Sequence, residues 1–235
     1  MSELDFPLPD GVDEHSFADA DSQAKALAEA VAECLKQAIE ARGQALLLVS
    51  GGRSPVAFFE LLSQAELSWC KVQIGLVDER WVPVDDPNSN QGLVERHLLK
   101  NNAQAAHFVG LYQSADTPDA SAQLADEMLH GWPWPADVVV LGMGEDGHTA
   151  SLFPDTPNLV QALQPTGQRA CLATQAPSEP VDRLTLTLPR LISACHQFLQ
   201  IQGETKRRML VRASLGEILP IAHFLSAPLQ VYWCP

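Results

Sequence analysis

The chain has 235 residues, room for one well-packed domain over 1–235, and its 46% hydrophobic and 19% charged residues are ordinary for a globular protein. A formal net charge of −14 opposes binding to nucleic acid or to an anionic membrane, because both need basic surface, and it obliges any anionic ligand to be met by a local cluster of Arg and Lys. The acidic start MSELDFPLPDGVDEHSF has no signal-peptide pattern, no run is long enough to span a bilayer, and the five cysteines form no C-x-x-C pair, so a cytoplasmic protein with reduced thiols is expected.

Apolar residues Phe17, Ala20, Ala24, Leu27, Ala28, Val31, Leu35 and Ile39 recur at three- and four-residue steps, which predicts a helix over 16–41 ending near Gly43. ALLLVS (45–50) is a short continuous apolar run of the kind found in buried parallel strands. Gly51 and Gly52 stop it, and Pro55 opens a helical PVAFFELLSQ. The pattern repeats with VQIGLVD (72–78), a Pro- and Asn-rich loop and a helix over 89–100. HFVGLY, a helix near 118–130 and the strand DVVVLGM (137–143) follow. RACLAT, RLTLTLP with Leu/Thr alternation over 184–188, HQFLQIQG, a helix over 204–215 and a closing LQVYWC complete the chain. Strands alternating with helices predict an α/β fold, a mostly parallel sheet with helices on both faces.

Ligands of such sheets bind beyond the carboxyl ends of the strands. Three segments at strand ends carry unusual residues: SGGRSP (50–55), VDERWVP (77–83) and GMGEDGHTASLFP (142–154). In the first, glycines and a hydroxyl precede a helix start, where free N–H groups favour a phosphate or carboxylate; a tight turn with Ser54 as N-cap fits these residues equally well. GMGEDG formally matches G-x-G-x-x-G, but Glu145 and Asp146 would set two carboxylates where a pyrophosphate should lie, and Pro154 interrupts any following helix. Its glycines are better read as allowing a sharp bend that aims His148 at a cleft.

His148 stands beside two acidic residues in this loop, where Asp78 or Asp146 could orient the imidazole and keep it basic. No partner His or Cys lies at metal-ligand spacing, so a metal site is not expected, and no Ser-nucleophile signature is present. In VDERWVP, Glu79 reads as a member of a salt-bridged loop. Arg183 opens the RLTLTL strand and Lys206 lies near the start of the 204–215 helix, so both could reach the ligand edge of the sheet.

Taken in order, SGGRSP, VDERWVPVDDPNSN, LGMGEDGHTASLFP and RLTLTLP resemble the 6-phosphogluconolactonases over most of residues 20–233. The resemblance implies a Rossmann-like fold and cofactor-independent hydrolysis of 6-phospho-D-glucono-1,5-lactone in the pentose phosphate pathway. It implies a phosphorylated sugar lactone as partner and leaves the oligomeric state open. His148 would be the general base, Asp78 or Asp146 would orient it, and Ser50, Gly51, Gly52, Arg53, Arg80, Gly144, Arg183 and Lys206 would bind substrate. The alternative is the glucosamine-6-phosphate deaminases, which share a similar D-G-H loop but follow it with an acidic residue that assists their histidine. Here the fifth position after His148 is Phe153, and Glu79-Arg80 stands where the deaminase pattern resembles Glu-Tyr.

Overall fold

The computed structural model describes residues 6–235. Its elements are β1 (Asp13–Ser16), α1 (Ala20–Arg42), β2 (Ala45–Val49), α2 (Val56–Leu62), β3 (Val72–Leu76), β4 (Asp78–Arg80), α3 (Asn90–His97), β5 (His107–Phe108), α4 (Pro118–Leu129), β6 (Val138–Gly142), α5 (Leu159–Ala162), β7 (Cys171–Gln175), β8 (Asp182–Leu186), α6 (Leu188–Ile192), β9 (His196–Gln202), α7 (Glu204–Ser214) and β10 (Leu229–Cys234).

Seven strands form a parallel sheet in the order β1-β10-β9-β6-β2-β3-β5. The chain moves one way from β2 through β3 to β5, then returns to β6 and moves the other way through β9 to β10. The direction reverses between β2 and β6, which pair along Leu47–Val49 and Val138–Val140. That boundary is the switch point at which doubly wound sheets open a crevice beyond their carboxyl ends. Leu46, Leu47 and Leu48 are all fully buried, as a strand covered on both faces requires.

The long helix starts at Ala20 rather than near 16, because residues 13–16 are taken up as an edge strand on β10. Asp19 caps it by accepting the Ser22 N–H at 2.8 Å, and Gly43 closes it in the left-handed region at φ 79°. Its core face buries Ala24, Leu27, Val31 and Leu35 together with one polar group, Gln23. The Gln23 amide donates to the carbonyls of Ile201 and Tyr232, both at 2.8 Å, and so ties the helix to β9 and β10. Arg207 of α7 pairs with Glu14 of β1 and donates to the Phe6 carbonyl, fixing the N-terminal segment against that helix.

A second, antiparallel sheet of order β4-β8-β7 departs from the expected architecture. RACLAT and RLTLTL belong to it, and the period-2 Leu/Thr pattern marks an antiparallel strand rather than a member of the central sheet. Leu184 and Leu186 face the core, while Thr185, also fully buried, accepts the Ser151 N–H at 3.3 Å from the loop after β6. This small sheet is therefore the support on which that loop rests.

Candidate active site

The adjacency of β2, β3, β6 and β9 brings their C-terminal loops together around a cavity of about 450 Å³. Ten of the eleven residues expected from sequence line it: Ser50, Gly51, Gly52, Arg53, Asp78, Arg80, Gly144, His148, Arg183 and Lys206. Asp146, the eleventh, stands behind His148.

The SGGRSP loop is stitched across the switch point. The Ser50 N–H donates to the Val140 carbonyl at 3.0 Å, and the Ser50 hydroxyl accepts the Gly142 N–H at 3.1 Å. A side chain at residue 51 would overlap the Asn90 amide, and Gly52 has φ 101°, so both glycines are required, one for space and one for backbone conformation. Pro55 occupies the N-cap position of α2, so Ser54 is not its cap and no side chain satisfies that helix start.

The loop after β6 is built around the histidine. The Gly144 N–H donates to the His148 carbonyl at 2.9 Å, and a Cβ at residue 144 would overlap the imidazole and the Asp146 carboxylate. Asp146 meets His148 Nδ1 at 2.5 Å and also accepts its backbone N–H at 3.1 Å. Asp146 is therefore the carboxylate in contact with the imidazole, and Asp78 is not. Burial would push the Asp146 carboxyl up, but the hydrogen bond and charge of His148 outweigh it and hold the group below its ordinary value. With Nδ1 engaged, Nε2 is left without a hydrogen-bond partner among the described residues. The Phe153 ring packs on the imidazole with centroids 4.3 Å apart.

Asp78 instead braces the loop from the small sheet, accepting the Ser151 hydroxyl at 2.5 Å. Its neighbour Glu79 is fully buried and belongs to no ion pair among the described residues, contrary to the salt-bridged loop expected from sequence. Burial pushes its carboxyl above the ordinary range, opposed by hydrogen bonds from the backbone N–H groups of Asn90, Gln91 and Arg80.

Arg80 and Arg183 face each other in the β4–β8 register. Like charges set directly opposite are unfavourable unless something lies between them. Arg183 Nε donates to the Pro180 carbonyl at 2.8 Å, and its guanidinium lies 5.9 Å from the Phe153 ring centroid. Burial and then the Arg80 charge lower its affinity for the proton, while Asp78 and Glu79 oppose them. Lys206 is lowered by burial; Glu145 opposes the shift and Arg53 adds to it. Arg183 and Lys206 thus line one cavity, each in the field of a different arginine.

Sequence reading missed three residues of this site. Asn90 and Gln200 line the cavity, and Glu79 supports it from behind. The SN pair closing VDDPNSN was the available signal for Asn90, since Ser89 is the N-cap of α3 and Asn90 its first residue. No sequence signal marks Gln200, whose amide reaches Gln23 Oε1 at 3.2 Å and the Ser54 carbonyl at 3.4 Å. Among the described residues no group of three or more His, Cys, Asp or Glu side chains is poised to hold a metal.

The fold and these features define a doubly wound α/β protein with a cationic cavity at its switch point and one carboxylate-paired imidazole in the wall. More specifically, the chain belongs to the family of glucosamine-6-phosphate isomerases and 6-phosphogluconolactonase, whose model matches residues 18–233. It is 49% identical to the 6-phosphogluconolactonase of Pseudomonas aeruginosa over 238 aligned positions, covering 100% of both chains. It is 51% identical to that of Pseudomonas putida, covering 100% of this chain and 98% of the other. The crystal structure of a 6-phosphogluconolactonase from Shewanella baltica superposes with a TM-score of 0.91 at 38% identity, covering 97% of this chain and 100% of that one.

Proposed function

We propose that this protein is a cytoplasmic hydrolase that converts 6-phospho-D-glucono-1,5-lactone to 6-phospho-D-gluconate in the pentose phosphate pathway. The observation that carries the reading is the Asp146–His148 pair in the wall of a cavity that also holds Arg53, Arg80, Arg183 and Lys206. That combination suits a small anionic substrate attacked by water. The full-length similarity to proteins named 6-phosphogluconolactonase supports it.

A δ-lactone is already an activated ester, so a placed water, a base and oxyanion donors suffice. His148 Nε2 takes a proton from water as its oxygen bonds to C1, and Asp146 steadies the imidazolium that forms. Backbone N–H groups of the Gly144 loop and a neighbouring guanidinium receive the charge on the carbonyl oxygen. Collapse breaks the bond from C1 to the ring oxygen, which takes the proton back from His148 and becomes the C5 hydroxyl. The new carboxylic acid ionises and releases one proton per turnover. Arg183, Lys206 and the SGGRSP loop hold the phosphate, assisted by Arg53 and Arg80. No step requires a metal or an organic cofactor.

Deamination or isomerisation of an amino-sugar phosphate is the rival chemistry in the family. Phe153, packed on the imidazole, offers no carboxylate to assist His148 in such a proton transfer. The test is to follow proton release from the lactone, corrected for spontaneous hydrolysis, beside ammonia release from glucosamine 6-phosphate. Turnover of the lactone alone is expected; ammonia release without lactone turnover overturns the assignment.

A further inference from the structure

Glu79 has no place in the mechanism above, yet it is a fully buried carboxylate directly behind the cavity. Its two oxygens are satisfied by a cage. Oε1 accepts the N–H groups of Arg80 at 2.8 Å and Asn90 at 2.6 Å; Oε2 accepts the Gln91 N–H at 2.7 Å and the Ser89 hydroxyl at 3.2 Å. Three of these four donors lie at the start of α3, where the N–H groups lack intrahelical partners. Ser89, the N-cap of α3, already accepts the Gly92 N–H at 3.0 Å, so one helix start receives two acidic or hydroxyl acceptors. A helix of eight residues does not need a buried carboxylate merely to begin, since a serine cap alone suffices elsewhere.

The cage fixes one side chain that does face the cavity. Asn90, held by its backbone on Glu79, donates its amide to the Asp78 carbonyl at 2.9 Å and accepts from Arg80 Nη1 through Oδ1. The same Nη1 donates to the Asn88 carbonyl at 3.1 Å. Arg80 is thus gripped at its backbone N–H by Glu79 and at one guanidinium nitrogen by Asn90 and Asn88. Its Nη2 donates to no protein group among the described residues, and the residue lines the cavity. The Asn90 amide also fills the space that a side chain at residue 51 would need, so the same group sets the approach of the SGGRSP loop.

From these contacts we infer that Glu79 and Asn90 are positioning residues: Glu79 anchors the start of α3, and Asn90 carries that anchorage to the Arg80 guanidinium, aiming it into the cavity against the repulsion of Arg183. Repulsion between the facing arginines would otherwise turn Arg80 toward solvent. The buried carboxylate has its position set by three backbone N–H groups and the Ser89 hydroxyl, and a guanidinium locked in advance loses less freedom when it binds an anion. Glu79 and Asn90 act through Arg80 and need not touch the substrate.

This inference rests on the proposal that Arg80 serves the anionic substrate, and a double-mutant cycle separates the two. The variants are Arg80→Ala, Asn90→Ala, Glu79→Gln and the combinations Arg80→Ala/Asn90→Ala and Arg80→Ala/Glu79→Gln, each assayed for kcat and KM on 6-phosphogluconolactone and for Tm. Arg80→Ala is expected to lower kcat/KM by roughly 10- to 150-fold, the value of one charge-assisted hydrogen bond. Asn90→Ala and Glu79→Gln should each lower it about tenfold, with the loss mainly in KM, and should add nothing once Arg80 is gone. Asn90→Ala keeps the backbone N–H on Glu79, so it carries the test if Glu79→Gln does not fold. A silent Arg80→Ala removes the Arg80 reading and this inference with it. A damaging Arg80→Ala whose loss multiplies with that of Asn90→Ala overturns only the inference, as does an Asn90→Ala enzyme with full activity.

Discussion

Replacing His148 with Ala or Asn removes the only imidazole in the cavity wall among the described residues while leaving a half-exposed loop whose fold rests on glycines and on Thr149 and Ser151. A folded protein with kcat lowered at least about a hundredfold is expected, the lower end of the general-base range, measured after subtraction of spontaneous hydrolysis. Near-normal turnover would remove His148 from the mechanism. Arg183→Ala and Lys206→Ala should each lower kcat/KM on the phosphorylated lactone by roughly 10- to 150-fold, while glucono-1,5-lactone, which lacks the phosphate, changes little. Equal losses on both lactones would mean that these residues hold something other than phosphate. Glu79 makes a prediction of a different kind. Burial raises its folded-state pKa, so the native state holds that proton more tightly than the unfolded chain does. Its contribution to stability is complete below the ordinary glutamate value of 4.5 and is lost as the pH rises through the raised value. Chemical denaturation between pH 4 and 7 should therefore show a downward trend with pH in the wild type that Glu79→Gln lacks.

At the scale of elements, the Gly144 turn is a tight constraint on the His148 imidazole. A Cβ there would overlap the imidazole and the Asp146 carboxylate, yet the backbone lies outside the left-handed region, so alanine is conformationally acceptable. Gly144→Ala is expected to lower kcat about tenfold or more with only a small change in Tm, because the ring must leave its place while the loop remains. Loss of fold and activity together would show that the glycine serves the backbone instead. The parallel strands and most of the helices were legible in the sequence because each is a continuous apolar run or a 3.6-period stripe, and the three functional loops were legible because they follow those strands. β1 was not, since DEHS has no strand pattern and its partner is a segment more than 200 residues away. The second sheet was hidden for a related reason: RLTLTL announces an antiparallel strand, but its partner β4 is the three-residue DER, too short to show a period. Within the site, the choice of Asp146 over Asp78 depends on a 2.5 Å contact inside one turn, which residue types at those positions could not distinguish. Asn90 and Gln200 escaped because amides carry no charge pattern: Asn90 acts by folding back on Asp78 and Arg80, and Gln200 by reaching Gln23 of α1 and the Ser54 carbonyl.

For the whole molecule, a charge of −14 surrounds a cavity lined by three arginines and a lysine. Long-range repulsion should slow the approach of a dianionic substrate, while Arg183 and Lys206, the cations proposed to hold it, would act at short range from buried or half-buried positions. Salt screens the first more than the second. Raising ionic strength from about 10 to 150 mM with an inert salt should therefore raise kcat/KM modestly, by a few-fold at most, where a cationic enzyme would lose activity. A steady fall would mean that the local field of the cavity already reaches into solvent.

The pairing of β1 with β10 also sets a schedule. Residues 13–16 emerge first during synthesis, and their strand partner, 229–234, is made roughly two hundred residues later. The Gln23 amide waits for the carbonyls of Ile201 and Tyr232, and Glu14 waits for Arg207 on the helix that carries Lys206. Contacts so distant along the chain close late, and a domain dominated by them folds slowly. A chain lacking residues 229–234 has its opening strand without a partner and the Gln23 amide without the Tyr232 carbonyl, so it should hold 6-phosphogluconate more weakly than the chain that contains them.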